Sequence, residues 1–92
     1  MESVMQGKKE CYVCGTTQNL ECHHVISGYA NRGNSERYGL KVWLCHEHHT
    51  GDTGVHFNKE FNLHLRQEAQ RKFEELYGDR DKWRRKFGKS YL

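Results

Sequence analysis

Long apolar runs are missing from this chain. Val42 to Cys45 is as long as any, far short of the roughly 20 residues that a membrane-crossing helix needs, so no membrane role is expected. A secretory leader is missing too: Met1 to Glu10 is polar and charged, with no apolar segment, which points to a cytoplasmic protein. In such a reducing compartment the four cysteines read as metal ligands rather than as two disulfides. Apolar residues make up only 35% of 92, which is thin for a domain of this size and calls for a staple such as a metal. Strong charge of one sign is also absent, since a net charge of +3 does not make the whole molecule a polycation. No internal repeat, low-complexity segment or second domain is visible. Residues 1–10 read as a flexible lead and residues 11–92 as a single domain.

What the chain does have is crowded histidine and cysteine. Between Cys45 and His56, one Cys and four His fall within twelve positions, and two earlier pairs, Cys11-x-x-Cys14 and His23-His24, answer them. Imidazole is the commonest metal ligand and titrates near neutral pH, so this density points to chemistry rather than to packing.

Leu20 to Ile26 reads as a strand carrying the histidine pair, and Leu40 to Cys45 as a second strand with Leu40, Val42 and Leu44 on one face. Between them, Gly28, Asn31, Arg32, Gly33, Asn34 and Ser35 spell a loop, with one helical turn over Ser35 to Tyr38 closed by Gly39. Residues 50–54 form another loop. A long helix is expected to begin near Phe57 or Asn58. Phe57, Phe61, Leu65, Ala69, Phe73 and Tyr77 recur every four residues as a core-facing stripe, and Gly78 stands where a cap belongs. A short helix over about 79–87 ends at Gly88. The fold class is α+β: a β-hairpin, a long helix and a short C-terminal helix.

The last stretch, about 79–92, is basic. Arg84, Arg85 and Lys86 lie among Trp83, Phe87 and Tyr91, which suits contact with a phosphate backbone and some stacking. It suits equally a solvated helix face whose aromatics dock on the core.

Structural zinc takes four Cys or His ligands in a tetrahedron, commonly as two close pairs from separate parts of the chain. Cys11-x-x-Cys14 is one such pair, with Gly15 allowing the tight turn, and Cys45-x-x-His48 is the other. Cys22 is left over and is expected to be a small buried residue. With His48 assigned, His23, His24, His49 and His56 remain, while His46 and His64 look peripheral. Neighbours on a strand point to opposite faces, so His23 and His24 divide their labour. One binds a divalent cation and the other takes a proton from water.

A Cys-x-x-Cys turn, a His-His strand, an Asn-bearing loop, a strand ending in a second zinc pair followed at once by His, and then a helix: over residues 11–75 this layout resembles the HNH endonucleases, also called the His-Me finger or ββα-metal group. The compact size looks like that of small phage or prophage members, and a phage-encoded chain would work in the host cytoplasm. The resemblance implies a ββα-metal fold with a zinc knuckle and hydrolysis of DNA phosphodiester bonds. It makes His23 and His49 ligands of a catalytic cation, Mg2+, Mn2+ or another divalent ion, and His24 the general base. His56 would be a third ligand or a phosphate contact. The family's middle Asn usually stands near the start of the second strand, where this chain has Tyr38-Gly39-Leu40. Asn31, ahead of Asn34, is therefore the residue expected to orient His24.

DNA is the expected partner, with the chain working as a homodimer or inside a larger DNA-processing complex. The competing reading is a non-catalytic zinc module that binds nucleic acid or protein. Three extra imidazoles around a knuckle favour the enzyme.

Overall fold

The computed structural model describes residues 2–28, 30–51 and 54–92. Met1, Tyr29, Asp52 and Thr53, which the expected lead and loops include, lie outside the described residues. Strand β1, Leu20–His24, pairs antiparallel with β2, Lys41–Cys45, in a register that sets Leu20 opposite Cys45, Cys22 opposite Trp43 and His24 opposite Lys41. Val42 and Leu44 of β2 are buried, as is Leu40 just before it. The alternation anticipated for that strand holds because one hairpin face packs on the core and the other is solvated.

The segment joining the strands is more helical than expected. Helix α1 spans Asn31–Tyr38, two turns where a loop and one turn were anticipated. Its own residues are poor helix formers, and tertiary ties hold it instead. The buried Ser35 hydroxyl donates to the Ile26 carbonyl at 2.7 Å and accepts from the Ile26 N–H at 3.3 Å. The helix ends at Gly39, whose φ of 70° is left-handed and where a side chain would strike the Glu2 carbonyl.

Beyond β2 a single turn of helix, α2, covers His46–His49, and a 3-10 turn covers Val55–Phe57. The long helix α3 spans Lys59–Leu76 and is opened by Asn58, whose side chain accepts from the Phe61 N–H. Leu65, Ala69 and Phe73 of the predicted stripe are fully buried, and Phe61 and Tyr77 pack against them. Phe57 does not join them. It stands in the 3-10 turn at 71% exposure, because the chain must turn at Asn58 before the helical period begins.

Helix α4, Arg80–Phe87, is capped by Asp79 and closed by Gly88. It sends Trp83 and Phe87 into the core, where Trp83 stacks on Phe87 at 4.2 Å and meets Phe73 edge-on at 5.4 Å. The lead is tied to β2's outer edge. The Ser3 hydroxyl donates to the Lys41 carbonyl, the Trp43 N–H donates to Gln6 Oε1 at 2.9 Å, and the Tyr12 N–H donates to the Trp43 carbonyl at 2.8 Å. These bonds satisfy an edge that would otherwise invite another strand. Among the described residues no helix is long and apolar enough to cross a membrane.

Candidate metal centres

Two clusters of ligand-bearing side chains form at the end of the hairpin. In the first, Cys11 and Cys14 come from a turn in which the Gly15 N–H donates to the Cys11 carbonyl. Cys45 ends β2, and His48 follows within α2. All four ligand atoms lie within 4.8 Å of one another. Cys14 Sγ and Cys45 Sγ are 3.9 Å apart, Cys11 Sγ and His48 Nδ1 3.6 Å, and Cys45 Sγ and His48 Nδ1 3.2 Å. Tetrahedral zinc, with bonds of about 2.3 Å to sulfur and about 2.0 Å to nitrogen, needs separations of roughly 3.5 to 3.8 Å. The set therefore could hold a metal such as zinc.

Its electrostatics ask for one. Burial works against the Cys11 thiolate, but the Cys45, Cys14 and Val13 backbones and the His48 imidazole outweigh it and bring the thiol down to about 6. For Cys45, the His48 N–H favours the thiolate, yet burial and the neighbouring Cys11 and Cys14 sulfurs push it up. Thiolates this close repel one another, and a cation between them would offset that charge.

The second cluster is His23, His49 and His56, whose ligand atoms again lie within 4.8 Å of one another. His23 projects from β1, His49 ends α2, and His56 follows Gly54 in the 3-10 turn. Glycine is required there, because a side chain on Gly54 would meet the His49 carbonyl at 2.7 Å. His56 Nε2 reaches 3.2 Å from His49 Nε2, and the ring of His23 stands 5.2 Å from that of His49 and 5.6 Å from that of His56. Two nitrogens on one ion with bonds of about 2.0 to 2.1 Å are separated by roughly 2.9 to 3.4 Å.

Two observations bear on whether these nitrogens are available to a cation. His23 is 7% exposed, and its Nε2 is buried without a hydrogen-bond partner among the described residues, the sort of orphan a cation satisfies. Burial, with the neighbouring His49 and His56 adding to it, holds His23 down to about 4, so its ring is neutral at physiological pH. The second observation is the Glu21 carboxylate, which accepts from His49 Nδ1 at 2.6 Å and lies 3.3 Å from His46 Nδ1. Accepting there places the proton on Nδ1 and leaves the lone pair of His49 on Nε2, the atom 3.2 Å from His56 Nε2. Those same bonds, that to His49 foremost, hold the Glu21 carboxyl below its usual range.

His24 is outside this ligand group but lines the same cleft, together with Cys22, Ser27 and Arg32. Its Nε2 stands 3.5 Å from a Glu36 oxygen, which also takes the Lys41 ammonium at 2.7 Å. That hydrogen bond to Lys41 is the main cause that lowers Glu36. Asn31 is engaged elsewhere: its amide donates to the Phe87 carbonyl at 3.5 Å, and that of Asn34 to the Lys86 carbonyl at 2.8 Å. Both serve carbonyls that the end of α4 leaves without helical partners. His46 and His64 are exposed, as anticipated.

Cys22 is a correction, since it is exposed rather than buried. With only two strands, the hairpin has a solvated face, and Cys22 lies on it opposite Trp43. Arg84 and Arg85 are exposed and Lys86 is half-buried, while Trp83 and Phe87 on either side of them dock on the core. Sequence reasoning missed Glu21, Glu36 and Arg32. For Glu21 the signal was there, because residues two apart on a strand share a face and Glu21 precedes His23 by two. Set against protein-family models, curated proteins and solved structures, the chain matches none of them.

Proposed function

We propose that this chain is a metal-dependent DNA endonuclease of the HNH, or ββα-metal, type. One observation carries the reading: three imidazoles converge on a second ligand set, separate from the Cys3His cluster, and a fourth, His24, lines the same cleft. A zinc staple alone explains the first set and has no use for the second. Zinc is assigned to Cys11, Cys14, Cys45 and His48, and a catalytic divalent cation to His23, His49 and His56.

A cation bound there would offset charge developing on the scissile phosphate and on the leaving oxygen. His24 takes the proton from the attacking water, and the Glu36 carboxylate at 3.5 Å is placed to steady the imidazolium that forms. Arg32, from the first turn of α1, lines the same cleft, where its guanidinium would offer a phosphate a planar, permanently charged donor. The exposed Arg84 and Arg85 supply sequence-independent attraction to the backbone.

The test is a supercoiled plasmid incubated with Mg2+, Mn2+ or no added cation. Nicking that needs the cation and falls at least a hundredfold in His24→Ala, the scale of general-base catalysis, is the expected result. Nicking no greater than that of His24→Ala under either cation would leave a non-catalytic zinc module that binds nucleic acid or protein.

A further inference from the structure

On the solvated side of the hairpin lies a groove of about 560 Å3 lined by Gln6, Lys8, Lys9, Cys22, Lys41 and Trp43, with Glu2 as the acid in its wall. We propose that this groove binds an unpaired stretch of DNA running to the scissile phosphate, with Trp43 as its stacking platform.

Three features on this face support that occupant. The first is continuity, because Cys22 lines both this groove and the cleft that holds His23, His24, His49 and His56. A strand lying in one leads into the other. The second is charge: three ammonium groups face one carboxylate, and although Lys41 is paired with Glu36, the exposed Lys8 and Lys9 are available to phosphates. The third is the ring. Trp43 is half-buried in the groove with the Lys9 ammonium 4.5 Å from its centroid, so its face is already occupied by a cation that a base and its phosphate can replace together.

A paired base has both faces covered by its neighbours in the duplex. A ring on β2 that lines a groove beside the tethered lead is therefore of use only to a base outside the stack. The volume is in the range of pockets that take small organic ligands, which extend from about 300 Å3 upwards. The inference rests on the nuclease reading for the identity of the polymer and for its direction, but the groove is tested without any cleavage.

The experiment uses the full chain loaded with zinc and no other divalent cation. Of its two tryptophans, Trp83 is fully buried, so emission that responds to ligand comes from Trp43. Titration with a short oligothymidylate is expected to quench that emission saturably, whereas a blunt duplex of the same length binds without quenching. Anisotropy of labelled oligothymidylate should show roughly tenfold weaker binding to Trp43→Leu, with most of the affinity kept in Trp43→Phe. Should Trp43→Leu fold poorly, the double variant Lys8→Gln, Lys9→Gln reads the same surface through exposed residues. Its log affinity against log salt should lose about 1.4 in slope, at roughly 0.7 for each phosphate contact on a single strand.

An unchanged slope there, equal affinity in Trp43→Leu, or equal quenching by duplex overturns the proposal. Those results leave plasmid nicking untouched and send the DNA along another face, such as that of Arg84 and Arg85. Saturable quenching with no nicking under any cation would instead keep the groove and remove the nuclease.

Discussion

Glu21 bears on the histidine cluster from outside its three members. By accepting from His49 Nδ1 it decides which nitrogen of His49 would be left to a cation. Glu21→Gln keeps the shape and can turn its amide nitrogen toward the ring, so the wrong tautomer becomes available. Outer partners of this kind are worth about ten- to a hundredfold in metal affinity, and the variant should bind Mn2+ at least tenfold more weakly by calorimetry. The circular dichroism spectrum should not move, since the Glu21 side chain is 39% exposed and is not part of the core. Equal Mn2+ affinity in the two proteins would strip Glu21 of that role.

At the scale of elements, what could be read from the sequence was whatever repeats or pairs. The Cys-x-x-Cys and Cys-x-x-His spacings come together as anticipated because each pair is local and needs only a turn. Leu65, Ala69 and Phe73 were legible because a four-residue period leaves few alternatives to one helical face. Helix α1 was not legible, since Asn31, Gly33, Asn34 and Ser35 favour turns by their own chemistry. It exists because Ile26 and the end of α4 hold partners for its polar side chains. Phe57 was misplaced for the opposite reason: it fits the period, but the N-cap at Asn58 starts the helix after it. The placement of His56 beside His49 had no periodic signature, only the nearby glycines. Gly54→Ala tests that placement. The added carbon would sit 2.7 Å from the His49 carbonyl and 2.9 Å from that of Gly51, and backbone must shift to admit it. Such overpacking costs about 1–3 kcal/mol. Because the shift falls between His49 and His56, Mn2+ affinity should drop about as far as in His56→Ala, measured on both variants at a temperature where both are folded. Full Mn2+ affinity in Gly54→Ala would mean that Gly54 does not position the ligand.

For the molecule as a whole the question is what holds two separate stretches of chain in one place. The turn at Cys11–Cys14 and the continuous stretch from Cys45 to His48 meet at the Cys3His cluster, whereas the aromatic core of Phe73, Trp83 and Phe87 lies among the helices. A domain of ordinary size is stable by only about 5–15 kcal/mol. Structural zinc in small fingers contributes an apparent 10–16 kcal/mol at neutral pH, as much as the rest of the fold together. The two clusters should therefore respond differently to chelation. On the nuclease reading, brief treatment with dilute EDTA should empty the histidine set, which offers imidazoles and no thiolate, and should stop nicking while the circular dichroism and the thermal midpoint hold. Exhaustive removal of zinc from the thiolates should abolish the cooperative thermal transition, and adding one equivalent of zinc under reducing conditions should restore it. A transition that survives full zinc removal would place the stability of the chain in its aromatic core, and the Cys3His cluster would no longer be its staple.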